Sequence, residues 1–122
     1  MIKDIAFVAY PADDAGSLMA FYRDTLGLTV GNSFDEEGKV QYAEFGVGSG
    51  YFGIMNRQWM DVPKGSASGV AFESDDIEKT RSDLMGKGVT VDEIYDTPVC
   101  RVCSFRDPEG NKVTLHQSTL KH

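Results

Sequence analysis

Ser104 to Gln117 reads SFRDPEGNKVTLHQ: the end of one strand, a tight turn and a second strand. Pro108 presets the backbone angle for the second position of a turn. Asp107 has a side chain able to bond the backbone two residues on, and Gly110 can adopt the left-handed angle that closes a bulged hairpin. Beyond the turn, Val113 and Leu115 alternate with Lys112, Thr114 and His116. The apolar pair is therefore directed at the core and the polar set at the opposite face. Whatever Thr114 and His116 point into is the first place to look for function.

Working outward from this hairpin, the chain repeats itself. Lys3 to Tyr10 (KDIAFVAY) predicts a strand, broken by Pro11, and Asp13 and Asp14 then supply a cap and negative charge at a helix start. Ala15, Leu18, Met19, Tyr22 and Leu26 recur at helical spacing, and Gly27 provides the stop. Strands are expected at Leu28 to Asp35, Lys39 to Val47 and Tyr51 to Asn56, with Glu37-Gly38 and Gly48-Ser49-Gly50 as the turns. Arg57 to Ser68 (RQWMDVPKGSAS) lacks periodicity and reads as a connector. The order then recurs: a strand at Gly69 to Glu73, and a helix opened by Asp75 and Asp76 with Ile77, Thr80, Leu84 and Met85 as its buried face. Gly88 is its stop, and strands follow at Val89 to Tyr95, Val99 to Arg106 and Lys112 to Ser118.

Laying Asp13-Asp14 on Asp75-Asp76, and the Gly27 and Gly88 segments on each other, gives a period of roughly sixty residues. A unit that cannot bury its sheet alone must pack on its copy. The expected fold is α+β: two βαβββ units forming curved mixed sheets around a cleft, with helices on the outer faces. It is one domain over residues 1–122, with unit one at about 1–56, the connector at 57–68 and unit two at about 69–118.

A net charge of -7 with no Lys/Arg cluster argues against a nucleic-acid partner. No charged-then-apolar leader is present, and no apolar run approaches the roughly 18 residues of a membrane span, so a cytoplasmic protein with no membrane partner is expected. Cys100 and Cys103 lie in a strand-like context, where residues three apart point to opposite faces; they are not expected to form a redox pair or share a zinc ion.

AFYRDTLGLTV (Ala20 to Val30) and DPEGNKVTLHQ (Asp107 to Gln117), set in a duplicated unit, resemble the vicinal oxygen chelate superfamily. That superfamily includes glyoxalase I, extradiol dioxygenases, methylmalonyl-CoA epimerase and bleomycin-resistance proteins. The likeness covers essentially the whole chain and is nearer to the subgroup described as related to lactoylglutathione lyase. As the resemblance implies, catalytic members hold a divalent metal by His and Glu from the first and last strands of each unit, and the metal acts as a Lewis acid on vicinal substrate oxygens. Carried over, those positions fall on Phe7, on Gly53 or Met55, on Gly69 and on Thr114. Phe, Gly and Met offer no hard ligand and Thr is neutral. The only histidines are His116 and His122. No cofactor is expected; the alternative is a noncanonical metal site improvised from His116, Glu44, an Asp and water.

With Phe7 and Thr114 on the cleft floor, alternation adds Ile5, Ala9, Ala71 and His116, an apolar pocket with a few polar points. His116 reads either as a base or hydrogen-bond partner for a ligand, or as a strand-end histidine half in solvent. Tyr42 and Glu44 share a strand face, as a polar cluster or as surface partners. Trp59 reads as a lid or as part of a dimer interface. Cys100 and Arg101 point to opposite faces, so at most one meets a ligand. The expectation is a metal-free homodimer that binds a small apolar or amphipathic molecule through Phe7, Tyr42, Trp59, Gly69, Cys100 and Thr114. The alternative is a lyase, isomerase or dioxygenase with His116 and Glu44 as catalytic residues.

Overall fold

Asp14 turns the chain from its first strand into its first helix. Its carboxylate accepts hydrogen bonds from the Ser17 amide at 3.1 Å and the Ser17 hydroxyl at 2.8 Å, so one N-terminal donor without an intrahelical partner is satisfied. These bonds, the amide first, hold the Asp14 carboxyl below its ordinary range. A carboxyl depressed in the folded state adds stability above its unfolded pKa, and that stability is lost as pH falls through the folded value. Asp14→Ala is expected to cost about 1 kcal/mol near neutral pH. The difference from wild type should close once the pH drops below the carboxylate range, and urea unfolding in neutral and acidic buffer measures both values.

The computed structural model describes residues 1–120, and His122 lies outside them. Two units share one topology. The first contains Met1–Ala67 together with Pro108–Asn111. Its strands β1 (Val8–Ala12), β2 (Thr29–Glu36), β3 (Lys39–Val47) and β4 (Gly50–Asn56) lie in the order β1-β4-β3-β2, with β1 parallel to β4 and the other pairs antiparallel. Helix α1 (Ala15–Ala20) runs on into a π turn, Phe21–Thr25. Leu18 and Tyr22 from this segment are buried, as are Tyr10, Ala43, Phe45, Phe52 and Ile54 on the strand faces beneath it. Asn56 caps a single helical turn, α2 (Arg57–Met60), at the start of the connector.

The second unit contains Ser68–Asp107 and, among the described residues, 112–120. Its strands β5 (Ala71–Glu73), β6 (Tyr95–Asp96), β7 (Cys100–Arg106) and β8 (Lys112–Ser118) repeat the order as β5-β8-β7-β6, again with one parallel pair, β5 and β8. Asp76 caps helix α3 (Ile77–Gly86) through the Lys79 amide. Ile77 and Leu84 from the helix and Cys103, Phe105, Val113 and Leu115 from the sheet are buried. The architecture is α+β, two repeated four-stranded mixed sheets and no closed barrel. Among the described residues no helix is long and apolar enough to cross a membrane.

Several local expectations are corrected. Pro11 does not break the first strand but lies inside β1, paired in register with Met55. β1 is an edge strand, where a residue without an N–H is tolerated. The strand also begins later than expected, since pairing with β4 starts at Val8 and Phe52; Ile5 precedes it and is exposed. Met85 is exposed as well. It sits eight residues from Ile77, about 80° round the helix axis and off the buried stripe. Val89 to Tyr95 is not a continuous strand: only Val91 bridges to Phe105, and β6 is two residues long. There the Asp92 carboxylate accepts from the Ser104 amide (2.6 Å) and hydroxyl (2.8 Å), taking a donor that a strand carbonyl would have used.

The hairpin tip is more than a turn. Gly110 adopts the left-handed angle, φ 90°, but Glu109 and Asn111 on either side are buried. Pro108–Asn111 belongs to the first unit, and there the Glu109 carboxylate accepts from the amides of Asp13 (2.8 Å) and Asp14 (3.1 Å), just ahead of α1. The Asn111 side chain accepts from the Ala67 amide at 3.2 Å and donates to the Pro11 carbonyl at 3.0 Å. Gly65 packs directly on the tip, where a Cβ would lie 3.1 Å from the Glu109 carbonyl oxygen.

Candidate functional site

Strand alternation sends every second residue of β1, β3 and β4 to the face turned away from α1, and pairing aligns them. Glu44 and Ala9 flank Gly53, and Tyr42 and Pro11 flank Met55. Gly53 matters because a Cβ there would sit 3.2 Å from the Tyr42 ring. The ring lies across the glycine toward β1 and meets Phe7 edge to face, centroids 5.6 Å apart at 64°. The Tyr42 hydroxyl donates to Glu44 Oε2 at 2.6 Å, and Asn32 Nδ2 donates to Oε1 at 3.1 Å. Burial, then the bond to Glu44 and its charge, push the Tyr42 phenol far above its ordinary pKa, so it stays a donor. On the β2 side Phe34 pairs in register with Tyr42, and its ring packs on Trp59 with centroids 5.8 Å apart. Phe7, Phe34 and Trp59 are 41%, 51% and 49% exposed, which leaves a broad aromatic surface for so small a sheet.

In the second unit the face turned away from α3 carries Ala71, Thr114 and Ser104 in one row and Glu73, His116 and Val102 in the next. His116 Nδ1 lies 2.5 Å from Glu73 Oε1, and Glu73 Oε2 accepts from the Ser118 amide at 2.8 Å. Cys100 is on this face, opposite Ser118 and 3.2 Å from the Thr97 hydroxyl. Arg101 is on the other face, bonded to Asp96 and Glu78, so of the two only Cys100 accompanies His116. Cys103 is buried on the helix side, its thiol pushed up chiefly by burial and then by the Asp92 charge, and both cysteines are free thiols.

The structure thus gathers Phe7, Tyr42 and Glu44 into one cluster in the first unit, with Trp59 joined to it through Phe34. In the second unit Cys100, Thr114 and His116 share a face, while Gly69 lies two residues before β5. Sequence reasoning missed Glu73 and Asn32. Continuing the alternation from Ala71 would have reached Glu73. Asn32 has no such signal, because an irregularity in β2 between Val30 and Ser33 decides where it points.

Among the described residues no three His, Cys, Asp or Glu side chains are grouped so as to hold an ion. Together with Phe7, Gly53, Met55, Gly69 and Thr114 at the positions the resemblance assigns to ligands, this donor set does not fit a divalent metal held in that manner.

A family model described as the Glyoxalase/Bleomycin resistance protein/Dioxygenase superfamily matches residues 4–115. No curated protein sequence matches the chain. Among solved structures, TnmS3, described as an antibiotic binding protein from Streptomyces sp., superposes with a TM-score of 0.84 at 23% identity, covering 97% of this chain and 98% of that one. Lactoylglutathione lyase from Agrobacterium tumefaciens gives 0.77 at 22% identity, covering 96% and 95%. A superfamily member from Sphaerobacter thermophilus gives 0.79 at 22% identity, covering 95% and 98%. At such identities the likeness establishes the fold and leaves the chemistry to the site.

Proposed function

Since the chain belongs to the Glyoxalase/Bleomycin resistance protein/Dioxygenase superfamily, we propose that it binds a small apolar or amphipathic molecule, without a metal, on the face of its first sheet turned away from α1. The observation that carries this reading is the Phe7–Tyr42 pair laid over Gly53 and flanked by Phe34 and Trp59. Half-exposed rings on a rigid sheet gain by covering, and Glu44 at their edge supplies orientation. An aromatic molecule of antibiotic size suits such a surface, as the description of TnmS3 makes reasonable for a protein of the same fold. The proposed form is a cytoplasmic homodimer, and native mass measured on the purified protein reports subunit number together with any molecule retained.

The neutral fluorophore N-phenylnaphthylamine tests the reading. It should brighten on the folded protein, bind equally well after chelator treatment, and bind roughly tenfold more weakly to Phe7→Ala. No binding, or binding that needs a divalent ion, overturns it.

A second reading rests on the Glu73–His116 pair. In the neutral tautomer that donates from Nδ1 to Glu73, the imidazole keeps a lone pair on Nε2, and a base held by a carboxylate suits proton abstraction in a lyase or isomerase. Exchange of the α-protons of small ketones and thioesters for deuterium, followed by NMR, should then be catalysed by the wild type and lost in His116→Ala. Equal exchange rates would discard this reading.

A further inference from the structure

We infer that the ligand is a cation, an aromatic body carrying a protonated amine, with Glu44 holding the amine and Phe7 and Tyr42 holding the rings. This rests on the binding reading above and narrows its ligand class. Each carboxylate oxygen of Glu44 already accepts one hydrogen bond, from Tyr42 and from Asn32. A carboxylate offers about four acceptor directions, so both oxygens retain capacity for a further donor. The two bonds orient the group, and in both the partner is the donor.

The surroundings agree in sign. On this face Gly53, Met55 and Phe34 are the aligned neighbours of Tyr42 and Glu44, with Ala9 and Pro11 one strand further on, and none carries a charge that could neutralise the carboxylate. Ring faces of Phe and Tyr attract cations and repel anions, so an ammonium gains from the rings and from the carboxylate together. A protein net charge of -7 adds a long-range field that favours the same partner.

Naphthylmethylamine and naphthylmethanol share one aromatic body and differ in charge at neutral pH, so the pair isolates the amine. In calorimetric titration of the wild-type protein, the amine should bind roughly tenfold more tightly than the alcohol. That preference should shrink when salt is raised from about 0.02 M to about 0.5 M. In Glu44→Gln the ratio of the two affinities should fall to near one. Equal affinities in the wild type overturn the cation inference and leave the binding reading standing. Failure of both probes to bind up to about 1 mM removes the binding reading and the inference with it. A Glu44→Gln protein that keeps the tenfold preference removes Glu44 from the role. If that variant fails to fold, the salt dependence in the wild type decides instead: an undiminished preference at high salt overturns the inference.

Discussion

Tyr22→Ala is expected to lower the stability of the protein by about 4 kcal/mol, the range for deleting a buried aromatic ring. Tyr22 is fully buried, with its ring centroid 4.9 Å from Phe52, 6.0 Å from Phe45 and 5.3 Å from Phe21. The hole left behind cannot close easily, because Phe45 and Phe52 are paired directly across β3 and β4 and cannot shift without breaking the ladder. For a chain of this size the midpoint of thermal unfolding should fall by roughly 15 °C. Tyr22→Phe separates ring from hydroxyl and should recover most of the loss. A midpoint for Tyr22→Ala within about 2 °C of wild type would mean that the first unit does not depend on this cluster.

Asn111→Ala is expected to cost about 3 kcal/mol. The reasoning is different, since little apolar surface is lost. Asn111 is fully buried and joins the connector to β1 through the Ala67 amide and the Pro11 carbonyl. Alanine leaves both groups without that partner, and each buried unsatisfied polar group costs about 1–3 kcal/mol. Leucine fills the space better but should be no more stable, which distinguishes lost hydrogen bonds from a lost side-chain volume. Freed from Asn111, the connector should also be cut faster by trypsin after Lys64. Urea unfolding of both variants, with the digestion rate beside it, makes the measurement; stability unchanged within about 0.5 kcal/mol would refute the tie.

These two residues lie in the two stretches that carry the family resemblance, Tyr22 in AFYRDTLGLTV and Asn111 in DPEGNKVTLHQ. Both act in holding the first unit together. This explains why the resemblance was so informative about architecture and so silent about chemistry: the motifs are conditions for folding, and residues such as Phe7, Glu44 and His116 lie outside them or at their end. Tyr42 and Glu44 were legible as sharing a strand face by alternation, and Phe7 was placed on the cleft floor by the resemblance. The edge-to-face contact of Phe7 with Tyr42 was not legible, because it depends on Gly53 in a third strand leaving room for the ring.

What the sequence determined by itself was local. Asp14 and Asp76 as caps, Gly110 at a left-handed angle, the apolar alternation of Val113 and Leu115, and the duplicated order of elements all depend on residues within a few positions of one another. Tertiary structure alone decided which distant groups meet: Glu109 with amides 95 and 96 residues away, Glu73 with His116, Tyr42 with Phe7. It also decided that Pro11 lies within a strand, since that turns on β1 having a neighbour on one side only. The physical reason is register. A slip of one residue between strands sends every side chain to the opposite face, and between strands distant in sequence the register is set by tertiary packing that no local pattern records.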